Sequence, residues 1–326
     1  MRPNLFDYAT SELSQDAILC WLLAWANSDH QALNPSLHQV GVDLLRHVFP
    51  HPTYRKVEIK RQIGKIDILC IVDDVYAILI EDKTGTTQHS DQLARYKAHI
   101  SEKLGFSPEN VIPVYIQTGD QSDYQEIADH GYRVLSRATL LTILENANGV
   151  IAQGHSDTLA DFSAYLRRIE DDFQSFRRRA LTSWTDHAWR GFYTELQAQL
   201  GTGHWRYVAN PSGGFIAFFW HFIDIDGGKV YLQLEEHKLC FKVEVTDPAR
   251  QTELRHHWHH LIATNAKLLG FDVQRPTRFG RGTWMTVASM ANDYRSTDED
   301  GFVDVEATVN TLQLAQRVID ACTTLN

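Results

Sequence analysis

The segment Ile66–Ile80 leaves a chain of this kind few ways to fold. Ile66-Asp67-Ile68-Leu69-Cys70-Ile71-Val72 is nearly continuous in apolar and β-branched residues, Asp73-Asp74 follows, and Val75-Tyr76-Ala77-Ile78-Leu79-Ile80 repeats the texture. Runs this short, bounded by turn residues, predict two strands of a tight hairpin inside a buried sheet. Gly85 closes the second strand. Whatever surrounds this hairpin must cover it on both sides.

The flanking periodicities supply that cover. Apolar residues at three- and four-residue spacing predict helices over 11–27 and 36–48, then an exposed strand over 54–63. Beyond the hairpin come a helix over 88–104, strands at 111–116 and 132–135, and a helix at 138–146. A long helix is predicted over 157–178. From Trp184 the texture changes. An aromatic-rich helix leads into runs at 205–209, 215–224, 229–235 and 239–245, separated by glycines, which predicts an antiparallel meander. A helix at 250–269, a strand at 283–288 and a helix at 303–325 complete the chain.

A length of 326 residues suits two domains, each able to bury its own core. The predicted organisation is an α/β domain at 1–150 with a mixed sheet flanked by helices, a helical connector at 151–182, and an α+β domain of unassigned role at 183–326, containing the antiparallel sheet. The longest uncharged apolar run, Ala17–Ala26, falls well short of the roughly 20 residues a membrane helix needs, so no membrane partner is expected. The opening residues, leading through Asp7 to Thr10-Ser11-Glu12, do not read as a signal or transit peptide. Cys20, Cys70, Cys240 and Cys322 are far apart, and three sit in apolar runs; they are expected to be reduced core thiols in a cytoplasmic protein. The formal net charge of -10 argues against indiscriminate nucleic-acid binding while leaving room for a local basic surface.

The chemistry lies at one end of the hairpin. Glu81 and Lys83, two residues apart, leave the same face of the second strand. Folding the strands back brings Asp67 level with Glu81, within one register step. Two converging carboxylates repel, and burial worsens it, so protonation or a cation must compensate. An oxygen-seeking divalent ion such as Mg²⁺ suits two carboxylates, a backbone carbonyl and waters. Lys83 can hold or activate a water beside it and offset phosphate charge.

The arrangement Asp67…Glu81-Asp82-Lys83 resembles the PD-(D/E)XK nuclease superfamily, in which an acidic residue on one strand precedes (Asp/Glu)-x-Lys on the next. The helix–strand–strand–strand–helix–strand order is similar too, although Ile66 stands where the motif's proline would be. Gln92 and Tyr96 resemble the Gln-x-x-x-Tyr element of the exonuclease-like branch, and the stretch around Glu12 and Asp16 looks like the opening of a bacterial branch. The resemblance covers roughly residues 1–145. It implies a metal-dependent nuclease using Mg²⁺ or Mn²⁺ on nucleic acid, with DNA the expected polymer, a 5′-phosphate product and a role in genome defence or DNA maintenance. By that resemblance Asp67, Glu81 and the Asp82 carbonyl bind metal, Lys83 positions or activates water, Gln92 orients the site, and Glu12 is an outer or second-metal ligand. The blander readings stand beside these: Glu12 as helix N-terminal charge, Asp82 as a hydrogen-bonded structural aspartate, Tyr96 as core. The alternative function is a non-catalytic nucleic-acid-binding or regulatory protein that keeps the fold. Oligomeric state is left open.

Other clusters carry less. His256-His257-Trp258-His259-His260 reads as a solvated helix face, since no acidic or cysteine ligand accompanies it. Arg177-Arg178-Arg179 follows Glu170-Asp171-Asp172 and is expected to ion-pair internally. Arg55, Lys56, Lys60, Arg61 and Lys65 on the strand before Asp67 form a candidate phosphate track, with Arg275, Arg278 and Arg281 as the fallback.

Overall fold

The computed structural model describes residues 3–49, 51, 53–64, 66–85, 91–146, 156–210 and 213–323, with the side chains of 91–94 and 98 outside the description. The chain divides into two compact units, Met1–Asp171 and Asp172–Asn326.

The first unit opens with α1 (Glu12–Ala24) and α2 (Pro35–Val48). Asn34 caps α2, its side chain accepting the Leu37 N–H at 3.0 Å, and Pro35 supplies a preset φ in the first turn. Gly41 is where the two helices meet. A Cβ there would lie 2.5 Å from the Leu22 carbonyl oxygen, so a side chain would push α2 off α1.

Strands β1 (Val57–Ile63), β2 (Ile66–Val72) and β3 (Tyr76–Lys83) form an antiparallel meander. The β2–β3 register runs from Val72↔Tyr76 to Ile68↔Ile80, which puts Asp67 level with Glu81. Asp73 and Asp74 both have positive φ (51° and 59°), a conformation short polar side chains tolerate. The Asp73 carboxylate accepts the Arg55 and Lys56 N–H groups at 3.0 and 2.8 Å, tying the turn to the chain before β1. Helix α3 (Asp91–Leu104) crosses to β4 (Val111–Gln117), parallel to β3. A short α4 (Gln125–Asp129) precedes β5 (Arg133–Ser136), and α5 (Arg137–Asn146) follows, giving the five-stranded mixed order β1-β2-β3-β4-β5.

Both faces of this sheet are covered, as the continuous apolar runs required. Ile68, Cys70, Val72, Ile78 and Ile80 pack with Leu19, Leu22 and Leu45 from α1 and α2. Leu69, Ile71, Ala77, Leu79 and Tyr115 pack with Tyr96 and Ile100 of α3. Each such buried aliphatic side chain stabilises by about 1.5–3 kcal/mol. Helix α6 (Asp157–Phe173) begins where predicted, but its α-helical hydrogen bonding stops at Phe173 and residues Gln174–Arg177 tighten into a 3-10 turn. The division between the units falls within this helix, inside the stretch read as a connector.

In the second unit, α7 (Asp186–Leu200) is capped by Thr185, which accepts the Ala188 N–H, and ends on Gly201 at φ 65°. Strands β6 (His204–Val208), β7 (Phe215–Ile225), β8 (Gly228–Glu235) and β9 (Lys238–Glu244) make the predicted meander. After α8 (Gln251–Leu268) come β10 (Val273–Gln274), β11 (Trp284–Met290), the two-residue β12 (Ser296–Thr297) and β13 (Val303–Asp304), and α9 (Val305–Thr323). The sheet order is β10-β11-β9-β8-β7-β6, antiparallel throughout. One face, bearing Trp205, Phe218, Trp220, Leu232, Phe241 and Val243, packs with α7, α8 and α9. The other bears His204, Phe219, Gln233 and Lys242. A bulge between Trp220 and Ile223 interrupts β7, with His221 at φ 56°. All four cysteines are buried and free. Among the described residues no helix is long and apolar enough to cross a membrane.

Candidate active site at the end of the central hairpin

Strand β3 carries an acid, an acid and a base beyond its last aliphatic residue, and the pleat sorts them to two faces. Glu81 and Lys83 leave toward α3, and Asp82 leaves toward α1. The Lys83 ammonium lies 2.8 Å from Glu81 Oε1 and 3.7 Å from Asp67 Oδ2, and donates to the Asp82 carbonyl at 3.1 Å. The Asp82 N–H donates to Asp67 Oδ2 at 3.1 Å, fixing that carboxylate against the strand end. Thus Asp67, Glu81, Lys83 and the Asp82 carbonyl all meet at one point.

Burial sets the electrostatics. The Glu81 side chain is fully shielded from solvent, while Asp67 and Lys83 are partly open. Burial first, then the Asp67 charge, push the Glu81 carboxyl up to about 7, with Lys83 pulling the other way. Burial would lower Lys83, but its hydrogen bond to Glu81 and the charges of Glu81, Asp67 and Glu12 hold it above its ordinary value. A protonated lysine beside two carboxylates offsets charge and donates hydrogen bonds.

Glu12 opens α1, and its Oε1 accepts the Thr84 N–H at 3.4 Å, just past Lys83. Gln92 lies in the first turn of α3, but its side chain lies outside the described residues, as does Lys65. Tyr96 is buried in the core under α3. Two members of the proposed basic track hold carboxylates, Lys56 binding Asp74 at 2.8 Å and Lys60 binding Glu58 at 3.3 Å, while Arg61 donates to the neutral Leu13 carbonyl. Those exposed pairs offset the charges of the two lysines.

Sequence reasoning missed two groups of residues. The first lies on the α1 side. Gln15 donates to Asp82 Oδ1 at 2.6 Å and accepts from Thr118 at 2.6 Å, and Arg137 grips the Thr118 carbonyl at 2.8 Å. Asp16 sits beside Asp82. Burial, then the Asp67 charge, raise Asp16 to about 6, and burial raises Asp82 strongly. Asp16 Oδ1 and Asp82 Oδ2 find no hydrogen-bond partner, so a proton shared between them would satisfy both. The available signal was Gln15-Asp16 interrupting an otherwise apolar helix. The second is Gln117, in register with Lys83 on β4 and hence on the same face, buried, with its Oε1 unsatisfied. Its signal was a polar residue ending an apolar strand. Gly119 permits this assembly, because a Cβ there would collide with the Thr84 carbonyl.

The donor set fits a hard divalent cation. Lys83 already stands as the cation shared by three oxygens, and the Gln117 amide oxygen is a further acceptor on that face. Among the described residues no three His, Cys, Asp or Glu side chains group as metal ligands, so the set is two carboxylates and a carbonyl. The histidine run forms no such group either: His259 bonds the Val287 carbonyl at 2.7 Å and His256 packs on Phe279. Arg179 pairs with Asp172, as expected, while Arg177 pairs instead with Glu195 of α7. Against known families, the model of the PD-(D/E)XK nuclease superfamily matches residues 3–183, more than half the chain. No curated protein and no solved structure matches it.

Proposed function

This chain belongs to the PD-(D/E)XK nuclease superfamily, and we propose that it is a Mg²⁺- or Mn²⁺-dependent, cytoplasmic nuclease that hydrolyses phosphodiester bonds in DNA. The observation that carries this reading is the meeting of Asp67, Glu81 and the Asp82 carbonyl around Lys83. Those three groups would hold the metal, with Glu12 in reach of the same strand end. A bound divalent ion supplies Lewis-acid polarisation of the phosphate and a more acidic water. Lys83, kept protonated by its acidic neighbours, orients the water and offsets phosphate charge. Glu81, raised to about 7 without metal, must release its proton to act as a ligand, so metal affinity rises with pH up to that range. Gln92 would orient the substrate side of the site. The Gln15–Asp82–Thr118 bonds hold β3 so that its carbonyl and Lys83 keep their places.

The test is cleavage of supercoiled plasmid and of a labelled single strand with Mg²⁺, with Mn²⁺ and with chelator, using the wild type and Asp67→Ala. Metal-dependent cleavage that the variant loses is expected. Cleavage insensitive to chelator or to Asp67→Ala would sink the proposal. A second reading, a non-catalytic protein retaining the fold, draws on the acidic net charge and the neutralised β1 lysines. It predicts DNA binding with no cleavage in any metal.

A further inference from the structure

The second unit's sheet has one face packed with helices, and register fixes what the other face carries. His204 pairs with Phe219, Phe219 with Gln233, and Gln233 with Cys240, so these side chains share the open face. Plain alternation along β7 would send Phe222 to the packed side with Phe218 and Trp220. The bulge prevents this. His221 takes φ 56°, its ring is held by Asp320 at 2.8 Å, and Phe222 emerges on the open face, 48% exposed. There the Phe222 ring stacks on Tyr231 (5.0 Å between centroids, 17° between planes) and on His204 (6.0 Å, 9°). His204 also stacks on Phe219. A strained residue thus presents the top ring of a stack to solvent. Across the sheet, Trp284 on β11 is 67% exposed on the same face, level with Glu244. A depression of about 400 Å³ lies between these rings.

Charge accompanies the rings. Arg206 lies over Phe219 at 5.2 Å, and Arg275 and Arg278 border the continuation of this face toward β10. Among the described residues none of the three has a carboxylate partner. The nearby acids are engaged: Glu235 binds Lys242 at 3.2 Å, and Asp293 binds Arg295 at 2.6 Å. Glu244 also lines the depression and, among the described residues, has no cation partner. Exposed ring faces flanked by free guanidinium groups match single-stranded nucleic acid, whose bases offer π-faces and whose backbone offers phosphates; a duplex hides those faces. Neighbouring strands lie about 4.8 Å apart, so Phe222 and Trp284 stand roughly 15 Å apart, room for separate bases on each.

We propose that this face binds single-stranded DNA, with bases stacked on Phe222 and Trp284 and phosphates on Arg206, Arg275 and Arg278. The choice of DNA rests on the nuclease reading above; the binding itself does not require catalysis. The test is fluorescence anisotropy of a labelled 20-nucleotide oligo-dT with the full chain, metal chelated, across a salt series. Phe222→Leu and Trp284→Ala should each weaken binding about five- to one-hundred-fold, with unchanged melting temperature for the exposed Trp284→Ala. Arg275→Ala/Arg278→Ala should reduce the slope of log affinity against log salt by about 0.7 per lost contact. Asp67→Asn should bind as wild type, so a failed cleavage assay and a failed binding assay are separate results. Absence of binding, tighter binding of oligo-U or of a duplex, or indifference to both ring variants would overturn the proposal. So would self-association that Trp284→Ala abolishes, which would give the face to a second copy.

Discussion

The two sheets of this molecule solve the placement of polar groups in opposite ways. In the first unit every strand of the hairpin is buried on both faces, so its charges can stand only where the strands run out: Asp67, Glu81, Asp82 and Lys83 cluster at one end. In the second unit only one face is covered, and polar and aromatic groups spread across the other, from His204 at one edge to Trp284 near the opposite one. The contrast is visible in the runs themselves: Ile66–Val72 is continuous, whereas β6 alternates exposed and buried residues over its first three positions. A doubly covered sheet concentrates chemistry at a point, where desolvation shifts proton affinities. A singly covered sheet distributes weak contacts over an area, which suits holding a polymer.

The sharpest way to break this division is Asp67→Asn. It keeps volume and removes charge at the point site, and should lower metal-dependent cleavage by about 10²–10³-fold or more, with oligonucleotide affinity unchanged. A loss of both together, measured side by side, would mean that the two sheets do not divide the work. The next effect is on stability. Glu81 and Asp16 keep their protons in the folded chain, at about 7 and about 6, where the unfolded chain has already released them. A raised carboxyl penalises the folded state as pH rises from the unfolded value toward the folded one. Metal-free protein should therefore lose stability between about pH 4 and 7, by about 3 kcal/mol for Glu81 alone. Urea denaturation in chelator at pH 5 and pH 8 measures this, and Glu81→Gln should remove the Glu81 share of the difference, with Asp16 and Asp82 supplying the rest; a profile rising through that window contradicts it.

Smaller effects separate the buried amides. Gln15→Leu strips a partner from both Asp82 and Thr118 and should cost about 1–3 kcal/mol. Gln117→Leu removes an oxygen that was already unsatisfied, so stability should stay within about 1 kcal/mol of wild type while cleavage falls. Equal costs for the two would show that Gln117 is structural. Least of all should be Lys56→Ala/Lys60→Ala. Both lysines already hold carboxylates, so the salt slope of DNA binding should change by much less than the 0.7–0.9 per phosphate contact. A full-sized change would return the phosphate track to β1.

What was legible follows from how many arrangements a stretch of sequence permits. Two continuous apolar runs around Asp73-Asp74 permit one hairpin, and a hairpin permits one pairing of Asp67 with Glu81, so the point site could be read directly. The four-strand meander was likewise legible from its glycines. Gln15, Asp16 and Gln117 were not, because a lone polar residue in an apolar element looks the same whether it faces a partner or solvent. The bulge at His221 was invisible, since nothing in Trp220-His221-Phe222 marks a left-handed backbone. The short α4, β10, β12 and β13 lack the length to show a period at all.

That bulge makes the length of β7 a functional quantity. Straightening the bulge while keeping His221 in line would exchange the sides of every residue from Phe222 to the strand end relative to Phe219. A phenyl ring would be driven inward and Ile223 outward with no change of composition, whereas deleting His221 along with the bulge would leave both on their present sides. A change of length in the glycine-rich turns before and after β7 moves no side chain across the sheet, whereas one within the strand does so unless it falls at the bulge.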